Sequence, residues 1–282
     1  MSFILRTAVL CIAVAMGVPG LTGPATAQPA NASLAVWLAE GAEGAELEAH
    51  LRVVAASPPS EIATMDGGRE TYASLVATHF PVEAILDETG ALLERKLDEP
   101  TLEVVQRFHA SIFGIRLATR RRQIAGTIKT PQDAMLLAEE GRRILDEAGE
   151  SDRGRSYRAF VPPSETLNIA VATALAFDHA VWAPLRATGF FGTPEDPAAY
   201  RARLETTRAA RTGAMRKMLA ERYAYALSPF SDGLLRWSAD HASSPQGRRF
   251  ERAYIKALAG ALLPRAHALG QALLAQFGPQ KG

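Results

Sequence analysis

Three observations predict an all-α protein. No stretch sustains the period-2 alternation of β-branched and aromatic residues that a half-buried strand needs. Apolar residues recur instead at i, i+3 and i+4, between proline and capping residues suited to starting and stopping helices. A helix-corner-helix pattern also recurs at a fixed offset, so the expected architecture is a helical bundle built from two related helix-corner-helix halves.

The first segment reads as an export signal. Arg6 supplies a positive start and Thr7 to Val18 an apolar run of 12 residues, too short for a bilayer-spanning helix. Pro19, Gly20, Gly23 and Pro24 break it, and Ala25-Thr26-Ala27 is a small-x-small cleavage signal before Gln28. Residues 1–27 are therefore expected to be removed, taking with them Cys11, the single cysteine. A cysteine-free mature chain needs no disulfide machinery, and periplasm is the expected compartment, with secretion as the alternative. No transmembrane helix is expected in the mature chain.

The mature chain then divides into a first half at 28–148, a linker at 149–157 and a second half at 158–282. Leu34, Trp37 and Leu38 fall on one helical face, and Leu47, Leu51 and Val54 on the next. Pro58-Pro59 and Gly67-Gly68 are turns. Pro81 suits the first residue of a helix to about Leu97, with Ile85, Leu86, Leu92 and Leu93 inward. Helices from Glu99 to about Phe113 and from Gly114 to about Ile124 follow. Thr130 as cap and Pro131 at the first position open a helix to Ala148. Gly149 to Tyr157, with charges, serines and glycines, reads as a solvated linker.

In the second half, Ser164 is expected to cap a helix to about Arg186 whose middle, Ile169 to Phe177, is nearly all apolar and so central. Tyr200 to Leu227 reads as one long polar helix of about 40 Å. A short helix from Leu234 to His241 precedes a last one, Gln246 to Phe277, kinked at Pro264. Its inward stripe is Phe250, Tyr254, Leu258, Leu262, Leu269, Leu273 and Phe277.

The recurrence joins Leu97–Leu117 to Phe230–Phe250 at an offset of 133 without a gap. Leu102 matches Leu235, Ser111 matches Ser244, Gly114 matches Gly247 and Arg116 matches Arg249. The expected physics is Ser as cap, Gly in a left-handed turn and Arg opening the next helix. Phe108-His109-Ala110-Ser111 through Arg116, and Ser244-Pro245-Gln246-Gly247-Arg248-Arg249, resemble the helix-corner segment of the bacterial domain-of-unknown-function family 2059. Ile112 departs from the family's proline in the first copy, and His241 from its aromatic in the second. The resemblance implies an exported all-α domain and no activity.

The sequence contains no Gly-x-Ser-x-Gly elbow, His-Glu-x-x-His, phosphate-cradling glycine loop or EF-hand, so no cofactor or metal is expected. A balance of 31 basic against 30 acidic residues argues against a nucleic-acid binder. Asp178 and His179 interrupt the apolar central helix, with Arg186 and Asn168 in line with His179. An acid beside an imidazole there is a weak candidate for acid/base catalysis; a polar contact with a neighbouring helix is the simpler expectation. His109 and His241 lie near the two corners without accompanying acids and read as partly buried polar residues rather than metal ligands.

Charge is unevenly spread. Residues 201–282 carry 14 basic and 5 acidic side chains, and residues 28–200 carry 16 and 25. Arg248, Arg252 and Lys256 form a stripe on the last helix, beside Arg249. Pairing of the halves within the chain is one reading and self-association a second. The third, binding an anionic envelope component or a partner protein, makes those four residues the binding candidates. The functional expectation is a non-enzymatic envelope binding protein. An envelope enzyme at Asp178, His179 and Arg186, or a carrier of an apolar ligand among alanine-rich helices, are the alternatives.

Overall fold

The computed structural model describes residues 41–279 together with Leu34 and Leu38, so residues 1–27, the expected export signal, lie outside the described residues. Those residues are helical with no β-strand among them. In chain order the helices are α1 (Ala42–Ala55), α2 (Ser60–Ala63), α3 (Gly68–His79), α4 (Val82–Glu94), α5 (Glu99–His109), α6 (Ile112–Thr127), α7 (Pro131–Ala148) and α8 (Asp152–Ala159). They continue as α9 (Ser164–Ala187), α10 (Pro197–Thr206), α11 (Arg208–Leu227), α12 (Asp232–Ser243) and α13 (Pro245–Phe277).

The expected starts are chemically real in several places. Thr130 and Asp133 close a reciprocal capping box with Pro131 in the first turn of α7. Asp98 accepts from the Thr101 amide to open α5. The expectation for Ser164 fails: it is the first helical residue of α9, no side chain caps that helix, and the Ser164 hydroxyl lies 2.7 Å from Arg216 Nη2 instead.

Helices α9 and α13 pack along each other as the centre of the bundle. The seven stripe residues of α13 are all buried, and Leu167, Val171 and Leu175 of α9 meet them in one core that runs from Leu34 to Phe277. α9 is long and apolar enough to cross a membrane, yet most of that stretch is buried inside the bundle, as for a soluble core helix.

Two expected elements differ. The long helix from Tyr200 breaks at Thr207 into α10 and α11. The hydroxyls of Thr206 and Thr207 donate back to the carbonyls of Arg203 and Leu204, at 2.7 and 2.6 Å, and so compete with the backbone ladder. The supposed linker at 149–157 is mostly helix α8, capped by Ser151, with Tyr157 fully buried. Glu150, Asp152 and Arg155 stay exposed, but Arg153 is drawn inward. Arg153 donates to the Ser228 and Phe230 carbonyls at 2.6 and 2.9 Å and pairs with Asp232, fastening α8 to the turn before α12.

Both corners use the same bonds. The Ser111 hydroxyl accepts from the Gly114 amide and that of Ser244 from the Gly247 amide, each at 3.1 Å. The two glycines are helical, not left-handed; those with positive φ are Gly67, Gly149, Gly189 and Gly192. What requires glycine is crowding. A Cβ on Gly114 would sit 2.5 Å from the Phe108 carbonyl oxygen, and one on Gly247 2.6 Å from that of His241.

Candidate functional site

Among the described residues, two clusters reverse ordinary burial most clearly. The first is a charged cluster inside the bundle. Glu43, Glu46 and His50 fall within an arc of about 60° on α1 at 3.6 residues per turn, and all three are buried. Arg121 of α6 faces them. Its Nε and Nη2 grip Glu46 at 2.9 and 2.5 Å, and Nη1 reaches Glu43 at 3.0 Å. Arg121 is 3% exposed, Glu43 3% and Glu46 7%, so this is a desolvated triad rather than a surface bridge. Burial raises the Glu43 carboxyl to about 7 against the opposing pull of Arg121, with Glu46 adding repulsion. Burial also works against the Arg121 charge, but the two carboxylates override it and hold the guanidinium more firmly protonated than usual.

His50 borders this triad and is held neutral, lowered to about 3 by burial and then by the nearby Arg222 charge. Tyr223 and Tyr254, both buried, are pushed above the usual phenol range by desolvation. Glu46, His50 and Arg222 also line a cavity of about 30 Å³. That is room for one or two water-sized groups and not for an apolar ligand of useful size. Sequence reading missed this cluster, because it followed Leu47, Leu51 and Val54 and left Glu43, Glu46 and His50 unremarked. The signal was their shared face on α1, opposite in kind to the Glu48–Arg52 pair that stays at the surface.

The second reversal is an apolar corner facing outward. Among the described residues, Trp237 is 48% exposed, Ile112 77% and Ile115 37%, three of the six large hydrophobic side chains so exposed. Trp237 stacks on Phe108 with ring centroids 5.4 Å apart and meets Phe113 edge-on at 6.1 Å. Phe108 stacks in turn on His241 at 4.0 Å, and Phe113 packs on Phe230 at 4.9 Å. Arg116 lies over the Phe230 ring. His109 is buried beneath this corner and held neutral, well below the ordinary histidine range, by burial and then by His241 and Arg121. His241 is lowered to about 4 by burial.

Asp178, His179 and Arg186 make contacts between helices. Asp178 pairs with Arg211 of α11 at 2.7 Å, while His179 Nε2 lies 3.0 Å from the Pro197 carbonyl oxygen and its ring stacks on Tyr200. Arg186 reaches Glu195 at 3.4 Å and lies over the Phe191 and Tyr200 rings. The three therefore clamp α9 to α10 and α11, and none of them lines the cavity above.

The basic stripe on α13 is also largely engaged within the chain. Arg249 pairs with Asp98, Arg252 with Glu165 at 3.3 Å, and Arg248 with Glu251 at 3.4 Å. Further along, Arg265 reaches Glu88 at 2.5 Å. Lys256 is exposed. Three of these bridges join the basic end of the chain to its acidic remainder, the geometry of internal charge pairing. No protein-family model, curated protein or solved structure matches this chain.

Proposed function

We propose that the chain is an exported, non-enzymatic binding protein of the bacterial envelope, and that it docks a partner protein on the corner formed by Trp237, Ile112 and Ile115. The observation that carries this reading is an exposed tryptophan already held in place by a stacked ring beneath it. Such a side chain loses little conformational freedom on binding, and tryptophan with arginine is typical of interface hot spots. Arg116 and Arg236 flank the corner, exposed and outside any ion pair among the described residues. Exposed Asp240 on the same helix as Trp237 disfavours a polyanionic surface, which makes a protein the better fit.

The same corner supports an origin by duplication. Under the 133-residue offset α5 corresponds to α12, and the starts of α6 and α13 coincide. Phe108 and His241 occupy equivalent positions and stack on one another. Arg116 crosses to Phe230 at the opening of α12, and Arg249 crosses to Asp98 at the opening of α5. Reciprocal contacts of this kind are the mark of a two-fold arrangement. The resemblance to the exported family named above and the signal-like first residues support the compartment.

The test is a photo-cross-linking residue in place of Trp237 in the exported protein, followed by binding measurements on the purified pair. One discrete cross-linked protein, bound at least ten-fold more weakly by Trp237→Ala and Ile112→Asp, is the expected result. Flotation of the protein with anionic vesicles, with no protein cross-link, would replace a protein partner by a lipid surface.

A further inference from the structure

The small cavity beside the buried triad has an unbalanced lining. Both carboxylate oxygens of Glu46 are already held by Arg121. His50 is 5% exposed, and its Nε2 makes no hydrogen bond among the described residues. Arg222, partly buried, lines the same space and makes neither hydrogen bond nor ion pair there. Val53, Ala125 and Ala134 close the remaining walls with apolar surface. The cavity thus offers a guanidinium and an imidazole nitrogen with no acceptor assigned to them.

We propose that this cavity binds a small monovalent anion, of halide or formate size, between the Arg222 guanidinium and the Nε2–H of His50. Burial weakens the hold of the Arg222 guanidinium on its charge, and Glu46 offsets this only through space, because both of its oxygens are bonded to Arg121. Apolar walls strengthen the attraction by lowering the local dielectric. A cation is disfavoured by Arg222, and a volume of about 30 Å³ excludes a ligand of metabolite size. The site lies on α1, α6, α7 and α11, away from the aromatic corner, and does not rest on the proposed docking function.

Bromide is the probe. Crystals of the mature protein soaked in sodium bromide are expected to give an anomalous peak within hydrogen-bond reach of Arg222 and His50. Exchanging gluconate for chloride at constant ionic strength is expected to raise Tm in the wild type and not in Arg222→Gln. An empty or water-filled cavity overturns the proposal. So does a bromide peak without a halide-dependent Tm, which identifies an adventitious ion only. The crystallographic arm uses the wild type, so it stands even where Arg222→Gln fails to fold.

Discussion

The triad around Arg121 and the corner around Trp237 both break the rule that charge faces water and apolar surface faces inward, but they break it in opposite senses. Inside, the guanidinium makes three charge-assisted hydrogen bonds to two carboxylates, so most of its polar demand is met within the fold. Outside, Trp237 and Ile112 leave much of their surface to solvent although their neighbours Phe108 and Phe113 are buried. The first reversal is largely paired within the fold, although Glu43 Oε2 and His50 Nε2 make no hydrogen bond among the described residues; the second leaves apolar surface uncovered. On the proposed reading, the first region serves architecture and the second recognition.

The largest expected effect comes from breaking the triad. Arg121→Met leaves two buried carboxylates facing each other, and a loss of about 3–5 kcal/mol in urea unfolding is expected. Replacing all three members by apolar residues of similar volume is expected to recover most of it, because the loss comes from unpaired charge. A single loss below about 1 kcal/mol would show that the cluster is not desolvated.

Glu43→Gln is gentler and reads out in pH. The folded carboxyl, at about 7, lies above its ordinary 4.5, so the folded protein holds a proton that the unfolded chain releases. Its contribution to stability is intact below about 4.5 and falls as pH rises toward 7, by up to about 1.4 kcal/mol per unit. Glu251, also raised to about 7 by burial, adds a slope of the same sign. His50 and His241 act oppositely. Kept neutral down to about 3 and 4, they cost stability as pH drops below 6.5. Subtracting the Glu43→Gln profile from the wild type isolates the first trend, and a flat difference between pH 5 and 7 would remove Glu43 from the account.

The smallest effect is expected at the surface. The Arg249–Asp98 bridge is about half exposed on both sides, so Arg249→Ala should cost less than about 1 kcal/mol and less still in high salt. A loss approaching that of Arg121→Met would mean that charge pairing between the chain's two ends holds the bundle together.

How much of this was legible beforehand follows from the range of each interaction. Local chemistry was readable: the Thr130 cap, the stripe on α13 and the burial of α9 all depend on residues a few positions apart. The break at Thr207 was missed because two threonine hydroxyls took backbone acceptors that a proline-and-glycine reading does not weigh. α8 was mistaken for linker because Arg153, which anchors it, finds partners some 75–79 positions away. The triad was hidden for the same reason, since Arg121 and Glu46 are separated by 75 residues. At the corner, Ser-x-x-Gly was recognised correctly as a motif but given the wrong cause. The glycines make room for a carbonyl; they do not turn the chain.

The central claim, that the aromatic corner is a recognition surface, is tested most directly by site-specific cross-linking from position 237 in cells that export the protein. The account predicts one discrete protein adduct, lost when Ile112→Asp is introduced while the helical circular dichroism and Tm stay near wild type. No adduct from position 237, together with partner capture from a position on the exposed face near Lys256, would contradict it and return recognition to the basic stripe of α13.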